Sequence, residues 1–108
     1  MDDFRIIYRI LRNINIMAKA EEPDMRLLSA QALKTTEENR DRLILNLIDD
    51  GYVKGFHVLD NVDGLLKPVI LWDHSQPSIT TAGMQYLQEN SMMKKAMEMA
   101  KKVADIFH

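Results

Sequence analysis

The sequence predicts an α+β domain, and three observations support this prediction. Apolar residues recur at three- and four-residue steps over residues 3–20 and again over 35–50, which is the spacing of amphipathic helices. Gly51 follows the second of these helices and leads at once into residues 52–59, which are rich in strand-forming side chains. An Asp-Gly turn then separates this strand from another at 69–73. This order is typical of a winged helix-turn-helix with a β-hairpin wing and extra C-terminal helices.

Length and composition narrow the class of protein. The 108 residues suit one domain, and 46% hydrophobic residues are enough for a modest core. There are no cysteines, so disulfides, thiolate zinc sites and a cysteine nucleophile are excluded. No apolar run approaches the roughly 20 residues of a membrane span. The start of the chain is acidic where a signal peptide would be basic, so we expect a cytoplasmic protein without a membrane partner.

The charge balance bears on nucleic-acid binding. The net charge is -2, with +2 in residues 1–20, -4 in 21–50, -1 in 51–80 and +1 in 81–108. Proteins that bind DNA strongly usually present a basic patch, because neutralising phosphates supplies much of the affinity. The balance therefore argues against strong DNA binding by a monomer, although a dimer could concentrate a few lysines on one face.

The first helix is predicted over 3–20, with Asp2 or Asp3 as its cap. Its expected buried stripe consists of Phe4, Ile7, Ile10, Leu11, Ile14 and Met17. Three arginines, at positions 5, 9 and 12, lie on the other side. They form either a phosphate-binding edge or simply a solvated face.

A helix-turn-helix is predicted next. An acidic segment containing Pro23 ends the first helix, and an apolar link over 25–28 follows. Ser29 caps a short second helix that ends near Lys34. The third helix starts at Thr35 or Thr36, and Glu38, three residues after Thr35, completes a capping box.

The outward side of the third helix is the candidate nucleic-acid interface. The helix should bury Arg40, Leu43, Ile44 and Leu47, and should expose Glu38, Asn39, Arg42, Asn46 and Asp49. Asn39, Arg42 and Asn46 are residue types that contact base edges. In the wing, Lys54 and Lys67 would hold phosphates. The acidic residues on the same face would repel DNA, so a protein-binding or idle face is the alternative.

No catalytic or metal site is predicted. His57, His74 and His108 lack the spacing of zinc ligands, and the acidic turn at 60–64 lacks the ligand pattern of a calcium loop. No nucleophile–base arrangement or phosphate-binding glycine loop is present. We therefore predict a protein that is not an enzyme and has no cofactor and no evident small-molecule ligand.

The C-terminal part is expected to contain two further helices. Ile79 could pair with the hairpin as a third strand. A threonine at 80 or 81 opens a fourth helix, which runs to about 89. The apolar positions of this helix are Met84, Tyr86 and Leu87. We divide the chain into a winged-helix domain over 1–90 and an amphipathic helix within 91–108. Five of the eight methionines lie at 84 and beyond. Since methionine suits irregular apolar contacts, this last helix either packs on the domain or forms a homodimer.

Two segments resemble the YjcQ-like family of small bacterial and prophage proteins. They are residues 50–57, Asp-Gly-Tyr-Val-Lys-Gly-Phe-His, and residues 78–90, Ser-Ile-Thr-Thr-Ala-Gly-Met-Gln-Tyr-Leu-Gln-Glu-Asn. In that family a helix ends in a Gly-Tyr strand, and an Ile-Thr-x-x-Gly-x-x-Tyr-Leu segment precedes a lysine-rich C-terminal helix. The resemblance implies a winged-helix fold and brings no settled activity and no functional residues.

Two functions follow as expectations from these patterns. The first is binding of double-stranded DNA through the helix at 35–50 and the wing at 52–73, as in a small prophage transcriptional regulator. The alternative is a protein–protein interaction or oligomerisation module that has the same fold and does not bind DNA.

Overall fold

The computed structural model describes residues 3–59, 69–71 and 76–90, and these residues form an α+β domain. The helices are α1 (Asp3–Lys19), α2 (Ala30–Leu33), α3 (Glu37–Asp49) and α4 over 81–90, and a 3-10 turn at Met25–Leu28 precedes α2. The strands are β1 (Val53–Lys54), β2 (His57–Leu59), β3 (Val69–Leu71) and β4 (Ser78–Ile79). The core lies between α1, α3 and the strands.

Helix α1 buries most of the predicted stripe, but Ile7 is only half-buried and Ile6, which was not in the stripe, is fully buried. Its fully buried apolar side chains are Ile6, Ile10, Leu11, Ile14 and Met17. The expectation for Phe4 was wrong, since its side chain is 70% exposed. At about 100° per residue, Phe4 lies roughly 120° around the helix from Ile10, away from the centre of the buried stripe.

The segment before α2 was expected to be an apolar link, but it is a 3-10 turn held by one polar side chain of α1, and a second polar side chain of α1 contacts the end of α2. Asn13 is buried, and its Nδ2 donates to the Leu27 carbonyl at 2.8 Å. Arg9 donates to the Leu33 carbonyl at 3.3 Å. A buried amide group that is left without a partner costs free energy, so the contact between Asn13 and Leu27 fixes how the turn lies on α1.

The caps of α2 and α3 were predicted with mixed success. Ser29 is the N-cap of α2, and its Oγ accepts from the Ala32 N–H at 3.1 Å. For α3 the N-cap is Thr36, whose Oγ1 accepts from the Asn39 N–H at 3.1 Å. The capping box between Thr35 and Glu38 was therefore wrong, because the third residue of the helix is Asn39.

Gly51 ends α3, as predicted. Its φ is +78°, in the left-handed region that glycine adopts most easily. Its N–H donates to the Ile48 carbonyl at 3.1 Å, and the Tyr52 N–H donates to the Leu47 carbonyl at 2.9 Å. These two bonds form a Schellman motif, which turns the chain directly from α3 into β1.

The strand expected at 52–59 is divided into two short strands. The division falls at Gly55, whose φ is +87°. β1 pairs antiparallel with β4 in the register Val53↔Ile79, so Ile79 pairs with this region as predicted, but in a separate two-stranded sheet and not as a third strand. β2 pairs antiparallel with β3, with Val58 opposite Ile70. Along the chain, two residues (55 and 56) separate β1 from β2, whereas six residues (72–77) separate β3 from β4.

Helix α4 begins at a threonine cap that also contacts the end of α3. Thr80 Oγ1 accepts from the Gly83 N–H at 3.2 Å and donates to the Gly51 carbonyl at 2.6 Å. The Thr80 N–H donates to the Tyr52 carbonyl at 3.0 Å. The predicted cap is thus confirmed, and it connects α4 to the turn that follows α3.

The apolar side of α4 differs from the prediction at one position. Tyr86 and Leu87 pack against the core, and the Tyr86 ring meets the Tyr52 ring edge-on at 5.7 Å. Met84 is instead 52% exposed.

Several predicted features lie outside the described residues, namely the turn at 60–64, Lys67 and the helix within 91–108. These features and the domain boundary at 90 remain predictions. Within the described ranges, no helix is both long and apolar enough to cross a lipid bilayer.

Candidate nucleic-acid interface

The outward side of α3 carries a row of polar residues at four-residue steps. Glu38, Arg42 and Asn46 are exposed, while Leu43, Ile44 and Leu47 are buried on the opposite side. Residues four apart lie on one face of a helix. The structure therefore places Arg42 and Asn46 together on the solvent side, as the sequence predicted.

Arg42 and Asn39 are bound to a carboxylate from another helix. Arg42 Nη2 donates to Asp3 Oδ2 at 3.0 Å, and Asn39 Nδ2 donates to Asp3 Oδ1 at 3.4 Å. Arg42 Nη2 also donates to Asn39 Oδ1, and Asn39 Nδ2 to Thr35 Oγ1 at 3.0 Å. The two residues expected to contact bases thus form a cluster with Asp3, which connects the start of α1 to the first turns of α3.

The remaining candidate residues are less constrained. Asn46 is exposed one turn beyond Arg42, and Lys54 is exposed on β1, opposite Ser78. Lys67 lies outside the described residues. The structure therefore brings Asn39 and Arg42 into contact. It leaves Asn46 exposed in the last turn of α3 and Lys54 exposed at the end of β1.

The charge around this face is mostly negative. Exposed carboxylates stand at both ends of α3, with Glu37 and Glu38 at its start and Asp49 and Asp50 at its end. The charge of Arg42 is balanced locally by Asp3. Carboxylates in the first turn stabilise the helix through its dipole, but they also repel phosphates.

The hydrogen bonds of this cluster lower the pKa of the Asp3 carboxyl group. The hydrogen bond from Arg42, and after it the one from Asn39, hold the pKa of Asp3 below its ordinary value. Because the pKa is lower in the folded chain than in the unfolded chain, the contact stabilises the fold above the unfolded pKa of about 3.9. This stabilisation is lost as the pH falls through the folded pKa.

We expect Arg42→Ala to raise the pKa of Asp3, measured by NMR titration of the carboxyl carbons, towards its ordinary value. Asp24 provides an internal reference, because the bond from Arg26 lowers its pKa independently of α3. The Asp24 value should not move. An unchanged Asp3 value would mean that the contact with Arg42 does not form in solution.

A small cleft lies between the 3-10 turn and α3. This cleft of about 250 Å³ is lined by Met25, Leu28, Ser29 and Arg40. The Arg40 side chain is only 15% exposed, and it donates to Asp41 and to the Leu28 carbonyl. The cleft is smaller than the roughly 300–1,000 Å³ of most ligand pockets.

In the part of the chain that the structure describes, no group of three or more His, Asp and Glu side chains is placed to hold a metal ion.

Sequence reasoning missed the role of Asp3. Asp2 or Asp3 was expected to cap α1; α1 begins at Asp3, whose carboxylate contacts residues 36 and 39 positions further along the chain, and Asp2 lies outside the described residues. No local pattern predicts such a contact, because it depends on how α1 and α3 pack.

Comparison with known proteins identifies one family. The family model described as YjcQ protein matches residues 8–106, which is nearly the whole chain. No curated protein and no solved structure matched the chain. The match includes α3, all four strands and α4, but it begins after Asp3.

Proposed function

The chain belongs to the YjcQ family, and we propose that it is a winged helix-turn-helix protein that binds double-stranded DNA through α3 and the hairpin. In this proposal α2 and α3 are the helix-turn-helix, β2 and β3 are the wing, and the role is that of a small transcriptional regulator in the cytoplasm. No catalytic step is included.

The order of elements is the observation that carries the proposal. The short α2 ends at Lys34, whose φ is +57°, and α3 begins three residues later at Glu37. An antiparallel hairpin follows α3 directly, and α4 follows the hairpin. A short helix, a tight turn and a longer helix are the parts with which helix-turn-helix proteins enter the major groove.

The side chains on α3 support a modest contact with DNA. Arg42 and Asn46 face solvent on one side, and neither is needed in the core. Arginine and asparagine are the side chains that most often contact guanine and adenine edges, and both also contact phosphates. The acidic residues at the ends of α3 oppose binding, so we expect weak, strongly salt-dependent affinity from a monomer.

A protein-interaction module is the second candidate, and a specific observation favours it. Phe4 and Ile16 are large apolar residues with 70% and 51% exposure, and both lie on α1. Exposed apolar side chains and the carboxylates of α3 suit contacts with a protein better than contacts with a phosphate backbone.

Binding to random-sequence duplex DNA, measured by fluorescence anisotropy at two salt concentrations, separates the two candidates. We expect binding at low salt that weakens steeply as salt is raised. Arg42→Ala should weaken binding about tenfold, because a hydrogen bond from a charged group is lost. Arg26→Ala is the matched control, since Arg26 is also an exposed arginine paired with an aspartate, outside α3 and the hairpin.

The control should leave the affinity unchanged. No binding at low salt by the folded protein would contradict the DNA-binding proposal and favour the interaction module. Equal losses in Arg42→Ala and Arg26→Ala would show that binding follows total charge and does not depend on the position of α3.

A further inference from the structure

The side chains of Asn39 and Arg42 converge on one anionic group. Their nitrogens donate to the two oxygens of the Asp3 carboxylate, at 3.4 Å and 3.0 Å. The Asn39 backbone N–H already donates to Thr36 Oγ1. The donors that face Asp3 are therefore side chains and not the backbone N–H groups of the helix N-terminus. Both Asp3 and Arg42 are about half exposed, at 47% and 53%.

We propose that Asn39 and Arg42 form a phosphate-binding site for the DNA backbone, and that Asp3 occupies this site in the protein without DNA. The inference rests on the proposed function and makes it more specific. Asp3 is then a built-in competitor, which DNA displaces when it binds.

The hydrogen bonds favour phosphate over a base edge as the ligand. An asparagine that reads adenine must offer both its amide oxygen and its amide nitrogen to the base. Here Asn39 Oδ1 accepts from Arg42, so Asn39 and Arg42 together present only donors on the side of Asp3. A ligand at this position must therefore be an acceptor, and an anionic oxygen satisfies both donors at once.

The strength of the Asp3 contact is compatible with displacement. An ion pair between partly exposed groups is screened by water and contributes little net stability. DNA supplies many phosphates at high local density, so exchanging one carboxylate oxygen for a phosphate oxygen costs little. Asp3 should reduce the affinity for DNA by a small factor and should not abolish binding.

The first variant to measure is Asp3→Asn, which removes the charge and keeps the size of the side chain. We expect it to bind random-sequence duplex DNA about threefold more tightly than the original chain at about 0.1 M salt. Glu22→Gln is the matched control, because it removes one negative charge from an exposed residue beyond the other end of α1. A helix of 17 residues is about 25 Å long, more than two Debye lengths at about 0.1 M salt, so the control should have no effect.

The second measurement tests whether Asp3 acts through Arg42. In an Arg42→Ala background, Asp3→Asn should give no further gain, because the site has lost its main donor. Arg42→Ala alone should weaken binding about equally on different DNA sequences and should lower the slope of log affinity against log salt by about 1. Thermal melts of each variant confirm that it is folded.

Each outcome has one meaning. A threefold gain that vanishes in the Arg42→Ala background supports the phosphate site. Binding by the original chain with no gain in Asp3→Asn, or an Arg42 effect confined to one DNA sequence, overturns the inference and leaves the proposed function standing. No binding by any variant overturns the proposed function, and this inference falls with it.

Discussion

Gly55→Ala is expected to lower the free energy of unfolding by about 4 kcal/mol, the largest effect that we predict for a single residue. The backbone at Gly55 has a φ of +87°, a conformation that costs an alanine about 1–2 kcal/mol. An alanine Cβ would also lie 2.1 Å from the Gln76 carbonyl oxygen and 3.2 Å from the Pro77 Cα. Overpacking of this kind costs about 1–3 kcal/mol more, because backbone atoms cannot rotate away.

Urea unfolding of Gly55→Ala measures this loss, and Gly51→Ala provides a matched control. Gly51 also has a positive φ, of +78°, but no heavy atom lies within 4 Å of the position of its missing Cβ. The control should therefore lose only about 1–2 kcal/mol, from backbone strain alone. Equal losses in the two variants would show that residues 76 and 77 move aside easily, and that the division between β1 and β2 depends only on the conformation of Gly55.

Gly83→Ala is expected to lower the free energy of unfolding by about 1–2 kcal/mol, although alanine is the better helix former. An alanine Cβ at this position would lie 2.3 Å from the Tyr52 carbonyl oxygen and 3.1 Å from the Ile79 Cβ. That carbonyl already accepts from the Thr80 N–H, so it cannot move without breaking the contact that begins α4. The steric cost should exceed the gain of about 1 kcal/mol in helix propensity.

Ala82→Gly is the control for Gly83→Ala. Ala82 is exposed on the same turn of α4, so its replacement should cost no more than about 1 kcal/mol, from propensity alone. Thermal and urea unfolding of both variants give the comparison. If Gly83→Ala were as stable as the original chain, the first turn of α4 would not be packed against Tyr52 as the structure describes.

These two glycines show the limit of sequence reasoning about the fold. Gly83 was recognised as part of an Ile-Thr-x-x-Gly segment, but the sequence does not show that Tyr52 approaches it. Gly55 was included in a strand at 52–59, because the residues around it favour strands. The strand divides at Gly55, where φ is positive and residues 76 and 77, which are distant in sequence, pass close to the backbone.

The candidate site shows the same limit. The outward positions of Arg42 and Asn46 follow from the period of α3 and were predicted correctly. The contact of Asn39 and Arg42 with Asp3 joins residues 36 and 39 positions apart, and it changes two candidate base readers into a cluster bound to a carboxylate.

The sequence by itself determined the α+β class, the spans of the described α-helices to within two residues, the Ser29 cap, a threonine cap for α4 and the stop at Gly51. These features depend on interactions within a few residues, so local patterns specify them. Only the tertiary structure decided the division of the strand at Gly55 and the binding of Arg42 by Asp3. Each of these depends on which distant segment packs against the residue, because steric contact and Coulomb interaction act between neighbours in space that are far apart along the chain.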